Sequence, residues 1–310
     1  MHKSLMMKKT PQRLMSSTLK RNLTGYGFIA PWLICFIVFT IYPVILSLYY
    51  SFTDFDILSA PKYVGLENYI YVFTKDPKFW NSLKVTVFYA FVSVPLKLVF
   101  AFAIALLLTK KHKGQGLYRA LFYLPSLVGG SVAVAIVWRT IFGNNGAIQN
   151  LMETLGIHRQ YSMLGDPALA IWCLIILSVW QFGSPMLTFL AGLKNIPKSY
   201  YEAAEIDGAR SFQRLFKITL PLVSPQILFN LIMQMIVGLM VFTQGYIITD
   251  GGPLRSTYFL VLHIYKTTFE SFKAGRGSAM AWILLVLLSI VSLAIYASSK
   301  YWVFYEGEQK

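Results

Sequence analysis

The chain has 310 residues, of which 56% are hydrophobic and only 13% charged, against roughly 25% charged in soluble domains, which excludes an ordinary soluble enzyme and marks a membrane protein. Its 28 Lys and Arg against 13 Asp and Glu give a formal charge of +15; the basic residues crowd into alternate loops between apolar runs, which assigns the excess to a membrane face and not to nucleic acid. Cys35 and Cys173 each lie inside an apolar run, so no disulfide framework is implied.

Residues 1–25 carry Lys3, Lys8, Lys9, Arg13, Lys20 and Arg21 and no acid, a basic segment expected in the cytoplasm. The run that follows, 26–52, is longer than the roughly 7–15 residues of a signal-peptide core and has no clear cleavage site, so it reads as an uncleaved first span. Further apolar runs at about 83–108, 121–142, 168–192, 222–248 and 280–305 each reach the roughly 20 residues needed to cross a bilayer. The expected architecture is an all-α membrane protein: a six-helix transmembrane domain over 26–305 with a short tail, 306–310.

Loop charge tests this count independently. Residues 109–120 hold Lys110, Lys111, Lys113 and Arg119 without an acid, and 193–217 hold Lys194, Lys198, Arg210, Arg214 and Lys217; both are expected inside. Residues 53–82 hold Lys62, Lys75 and Lys78 against Asp54, Asp56, Glu67 and Asp76, and 143–167 hold Arg159 against Glu153 and Asp166; both are expected outside. The loop 249–279 is less clear, with Arg255, Lys266, Lys273 and Arg276 against Asp250 and Glu270. An even helix count places it outside and both termini in the cytoplasm. Its Thr249-Asp250-Gly251-Gly252-Pro253 is a turn signal, and Tyr258–Phe269 is apolar enough for a short interfacial or re-entrant helix.

The cytoplasmic loop 195–221 is charge-rich and strongly punctuated. Ser199 followed by Glu202 reads as a capping box. Gly208 supplies a left-handed helix stop, Ser211 a second cap, and Pro221 a terminator. Two brief helices bent at glycine are expected there, on the face where a protein partner would dock.

Catalytic and metal patterns are missing. His2, His112, His158 and His263 are scattered without ligand spacing, and there is no Cys-x-x-Cys and no Gly-x-x-x-x-Gly-Lys-Ser/Thr phosphate loop. A membrane enzyme would need convergent groups that the sequence does not offer, and ATP hydrolysis by that loop is excluded. Polar residues inside spans are better candidates, because in a bilayer they face a bundle interior or a water path. In the fifth run Asn230, Gln234, Gly238 and Phe242 follow at four-residue steps and form one slowly turning stripe. In the fourth, Gln181, Ser184 and Thr188 share a face, and Pro185 frees a carbonyl one turn earlier. Such residues can also simply hold helices together. Amides and hydroxyls with aromatics suit a neutral polyhydroxyl ligand, with Trp180, Phe242 and Tyr246 as lining residues. Lys97, too deep to reach the interface easily, is either paired inside the bundle or exposed to water; Arg139, near the outer end of the third span, is expected to snorkel.

Glu202-Ala203-Ala204, Gly208 and Ile218-Thr219-Leu220-Pro221, at these spacings, resemble the EAA loop of membrane subunits of ATP-binding-cassette (ABC) importers. Thr249–Pro253 with Ile264-Tyr265, Phe269 and Gly275-Arg276-Gly277-Ser278-Ala279 resembles the carbohydrate branch, as do Ala30-Pro31-Trp32, Tyr42-Pro43 and Gly65-Leu66-Glu67-Asn68-Tyr69. The chain is thereby identified as similar to maltose-type permeases over nearly its whole length.

That resemblance implies the type I ABC importer permease fold and a site in the bacterial or archaeal cytoplasmic membrane. It implies a coupling hairpin, with Glu202, Ala203, Ala204, Asp207, Gly208 and Arg210 meeting a separate dimeric ATPase that carries ATP and Mg; this chain itself would hold no cofactor. It implies a second permease, making a heterodimer, an extracytoplasmic sugar-binding protein and a central sugar path, here through Gln181, Ser184, Asn230, Gln234, Gly238, Phe242 and Tyr246. An importer of glycerol phosphate, an amino acid or a polyamine is the alternative, and a stand-alone channel or secondary transporter the rival outside this class.

Overall fold

A computed structural model describes residues 26, 28–110, 113–158 and 160–304. The basic segment 1–25, Lys111, His112, Arg159 and the tail 306–310 lie outside the described residues. Helices dominate. The first, α1 (Phe28–Ser51), leads through a two-rung ribbon, Thr53 opposite Tyr63 and Asp54 opposite Lys62, to α2 (Glu67–Thr74) and α3 (Phe79–Thr109). Then come α4 (Gln115–Val128), α5 (Val132–Phe142) and α6 (Ala147–Thr154), and the pair α7 (Ala170–Trp180) and α8 (Gly183–Asn195). After α9 (Lys198–Ile206) runs α10 (Ser211–Leu239), and the chain closes with α11 (Leu260–Tyr265) and α12 (Ala274–Ser299).

Among the described residues four helices, α1, α3, α10 and α12, are long and apolar enough to cross a membrane unaided, and counting each of two bent pairs as one span gives six. The bent pairs correct the third and fourth expected spans, which the sequence suggests are continuous. α4 meets the segment 132–154 at 93° across Gly129-Gly130-Ser131, and α7 meets α8 at 42°. Both breaks have local causes. Ser131 leaves helical geometry to cap α5, its hydroxyl accepting from the Val134 N–H, a standard N-cap. Pro185 lacks an N–H, and the Gln181 carbonyl this frees accepts from the Ser126 hydroxyl at 3.0 Å.

The fifth span departs from expectation at both ends. Pro221 does not stop a short helix, because the turn just before it, Leu215–Thr219, widens into a π-helical turn and α10 runs on. The same device precedes Pro43, where Ile37–Ile41 is π-helical. A wide turn relieves the clash and the missing donor that proline brings to a helix. At its other end α10 stops at Leu239, and 240–244 leads to a separate π turn, Gly245–Thr249. The last span starts earlier than expected, so that Gly275–Ala279 forms the first turns of α12.

The helix α3 is the axis of the bundle. Its small residues Ala90, Ala101 and Ala105 are fully buried and pack with Met186 and Phe189 of α8 and Met235 and Leu239 of α10. Small side chains let backbones approach, which favours helix association in lipid. At Gly238 a Cβ would meet Val94 Cγ2 at 3.2 Å and Ala90 Cβ at 3.3 Å. Gly238→Leu is therefore expected to push α10 off α3 and lower thermal stability in detergent by about 1–3 kcal/mol, with Gly238→Ala costing far less; equal melting of the two variants would refute this close packing. A second cluster joins Tyr89 of α3 to Cys173 and Leu174 of α7 and to Phe259. A third gathers Val72, Phe79 and Leu260 against Met280 and Leu284 of α12.

The loop before α12 packs into the bundle. Its turn forms as expected, with the Gly252 N–H donating to the Thr249 carbonyl at 2.8 Å. Beyond it Phe259, Leu260 and Leu262 are fully buried, and the Leu260 N–H donates to the Thr86 hydroxyl of α3 at 2.8 Å.

Candidate functional site

Two places concentrate polar groups that a membrane helix would otherwise avoid. The first is the hairpin of α9 and the start of α10. The Ser199–Glu202 capping box does not form, because α9 begins one residue earlier, at Lys198, with Pro197 as its N-cap. Ser199 is thus already helical. The glycine stop does form: Gly208 has φ +71°, its N–H donates to the Glu205 carbonyl, and the Ala209 N–H to the Ala204 carbonyl. This pair of bonds is a Schellman motif, which satisfies carbonyls the helix end leaves free. Ser211 is likewise not a cap. Arg210 occupies that position with extended geometry, and its N–H donates to Gln213 Oε1 at 2.8 Å.

The two arms are tied together at their base. The hydroxyls of Tyr201 and Thr219 lie 3.0 Å apart, and Arg214 reaches Glu205 at 3.8 Å. Of the expected coupling residues Glu202, Ala203, Asp207, Gly208 and Arg210 are exposed. Ala204 is not: it is buried against the protein, so its small size serves the packing of α9 and not an outward surface. Sequence reasoning missed the most prominent feature of the tip, Ile206 and Phe212, which are 87% and 71% exposed. Their signal was there to read, as bulky apolar residues inside a charge-rich loop.

The second place is a cavity of about 170 Å³ between α3, the end of α7 and the end of α10. Gln181, Gln234, Gly238 and Phe242 all line it, joined by Lys97 and by Ser178 and Gln244, which sequence reasoning did not select. The remaining expected path residues fall elsewhere. Ser184 donates its N–H to Ser126 and helps to seat α8 on α4. Asn230 is buried, its amide donating to the Gln226 carbonyl at 2.9 Å. Tyr246, 37% exposed, stacks on Phe242 at 5.4 Å and packs at 5.3 Å on Tyr265, and does not itself line the cavity. Because α10 ends at Leu239, Phe242 comes from the following linker, and the four-residue stripe breaks there. Trp180 lines a separate apolar groove with Leu96, Val99 and Trp172. Arg139 donates to the Ile247 carbonyl at 3.5 Å.

Gln181 is both lining and brace, its Nε2 donating to the Gly129 carbonyl at 2.8 Å across the break in the bent pair. Lys97, near the middle of α3, is 6% exposed and has no hydrogen-bond or ion-pair partner among the described residues. No carboxylate lines the cavity.

Just before the start of α3, at Asp76, a buried polar chain holds α11. His263 Nε2 lies 2.7 Å from Asp76 Oδ2, and its Nδ1 lies 3.2 Å from the Tyr258 hydroxyl. Burial holds His263 below the ordinary histidine range, against the pull of the Asp76 carboxylate. His263→Leu would leave that nearly buried carboxylate without its donor, so a loss of about 1–3 kcal/mol in thermal stability is expected; unchanged melting would show that the bond contributes nothing. The described residues contain no group of three or more His, Cys, Asp or Glu placed to hold a metal ion.

Residues 76–302 match the family described as binding-protein-dependent transport system inner membrane component. The chain is 52% identical over 293 residues to the probable ABC transporter permease protein YesP of Bacillus subtilis, covering 94% of this chain and 95% of that one. It is 34% identical to the lactose transport system permease protein LacF of Rhizobium radiobacter, covering 91% and 97%. Among solved structures it is similar to a chain of a bacterial alginate ABC transporter in complex with a pentasaccharide-bound periplasmic protein. That likeness has a TM-score of 0.79 at 21% identity, with 93% of this chain and 98% of the other covered.

Proposed function

The chain belongs to the binding-protein-dependent transport system inner membrane component family, and from that membership we propose that it is the permease subunit of an ATP-driven importer of sugars or oligosaccharides. It is a multi-pass protein of the cytoplasmic membrane with the fold of ABC importer permeases. The observation that carries the sugar reading is the end-to-end likeness, at 34% identity, to a permease of a lactose transport system. The chemistry of the cavity agrees with it: amides of Gln181 and Gln234 and the ring of Phe242 can exchange hydrogen bonds with hydroxyls and stack on a sugar face. A polyamine is disfavoured, since Lys97 would repel it.

The hairpin is the coupling element in this reading. Its exposed Glu202, Ala203, Asp207 and Arg210, with Ile206 and Phe212 at the tip, enter a groove of a separate ATPase subunit, which binds ATP and Mg and hydrolyses the nucleotide. A second, different permease chain completes the path, and an extracytoplasmic binding protein delivers the sugar. ATP-driven closure of the ATPase dimer draws the hairpins together and turns the site from one side of the membrane to the other. Affinity purification of this chain from its native membrane tests the assembly: an ATPase polypeptide and a second permease are expected in stoichiometric amount. Recovery of this chain alone, still active in uptake without ATP, would point instead to a stand-alone carrier.

A further inference from the structure

We propose that Lys97 makes the central cavity a site for an acidic saccharide, its ammonium serving as counter-charge to a single carboxylate on the sugar. The inference deepens, and rests on, the reading of the chain as a sugar importer. Lys97 sits in mid-helix on α3, 6% exposed, and lines the cavity. A charge so placed is costly unless something neutralises it. The described residues supply nothing that does: Lys97 has no partner among them, and every described acid lies outside the four long helices.

The rest of the lining narrows the ligand. Gln234, Gln244 and Ser178 offer hydrogen bonds to hydroxyls, and Phe242 offers a ring face. A wholly neutral sugar would leave the ammonium uncompensated. A phosphate monoester, carrying nearly two charges, would find one cation and no arginine in the lining. One carboxylate among hydroxyls, as in a uronic-acid residue, matches both the charge and the donors. This revises the neutral polyhydroxyl ligand expected from the sequence.

The test is direct binding to the complex of this chain with its partner permease and ATPase, purified whole and placed in nanodiscs without the binding protein. The probes are oligosaccharides of two to four units carrying a terminal glucuronate, each matched to its carboxyl-reduced counterpart. Wild-type complex should prefer the acidic member of a pair. Lys97→Met should weaken that member about ten- to a hundredfold, the value of a lost charge-assisted hydrogen bond, and leave the neutral one within about twofold, while Lys97→Arg keeps the preference. Equal binding of both members by wild type, or an unchanged preference in Lys97→Met, overturns the inference and leaves the importer reading standing; a carboxylate from the partner permease neutralising Lys97 would give that result. Failure of every probe to bind also overturns it, and if ATP-driven sugar uptake is absent as well, the importer reading falls with it.

Discussion

Gly208→Val should uncouple the complex: uptake is expected to fall at least tenfold while the membrane domain stays folded. The reason lies in the backbone. Gly208 holds φ +71°, a conformation that costs a residue with a Cβ roughly 1–2 kcal/mol and a β-branched one more. Yet a Cβ there would meet nothing within 4 Å, so valine causes no clash inside this chain. The strain instead opens the Schellman bonds at Ala204 and Glu205 and re-aims the tip. Ile206→Ser and Phe212→Ser provide the companion test, since both side chains are largely exposed and their loss spares the fold. If they fill a groove of the ATPase, each should weaken its docking by about tenfold or more, as apolar anchors at interfaces do. Normal ATPase stoichiometry and normal uptake in all three variants would remove the coupling assignment.

Gln234→Leu and Asn230→Leu should part company. The sequence puts both on one stripe, but Gln234 lines the cavity while Asn230 is 3% exposed and bonded to the Gln226 carbonyl. Losing the Gln234 amide leaves a sugar hydroxyl unpaired in a confined site, a penalty of about 1–3 kcal/mol, or roughly ten- to a hundredfold in affinity. Asn230→Leu should change melting temperature more than affinity. The measurement is the concentration of sugar giving half-maximal uptake for each variant, beside its thermal stability. The same loss of affinity in both would restore the stripe; no loss in Gln234→Leu would remove the cavity as the sugar site.

Hydropathy made most of the bundle legible. Hydropathy is a sum over many residues, and it located the four long helices without help from tertiary structure. What it could not locate were the breaks. Around Ser131 the signal was present but outweighed: Gly129-Gly130 and the Ser131 cap mark a break, yet the apolar length of the run reads as one span, and the 93° bend is held by Ser131 capping α5 and by Gln181 bracing Gly129 from another helix. Pro221 failed as a stop signal for the opposite reason, since the backbone absorbed it in a π turn whose cost tertiary packing covers. The cavity was half legible. Gln181 and Gln234 were chosen as polar residues inside apolar runs, and Gly238 and Phe242 as members of the same four-residue stripe, Phe242 also as an aromatic; all four converge on the cavity. Ser184 and Asn230, also chosen as polar, and Tyr246, chosen as an aromatic, do not line this cavity: Ser184 bonds to Ser126, Asn230 to Gln226 one turn back, and Tyr246 stacks on Phe242. Periodicity gives the face of a helix but not what that face meets.

In the proposed function this chain carries sugar while a separate subunit hydrolyses ATP. The most direct test of this is the ATPase rate of the purified complex in proteoliposomes, measured with the binding protein and a panel of neutral and acidic oligosaccharides. One or more sugars should raise the rate several-fold above that of the binding protein alone, with matching accumulation of sugar and with both signals lost in Gly208→Val. A rate indifferent to every sugar, or sugar accumulation that persists without ATP, would rule out an ATP-driven sugar importer.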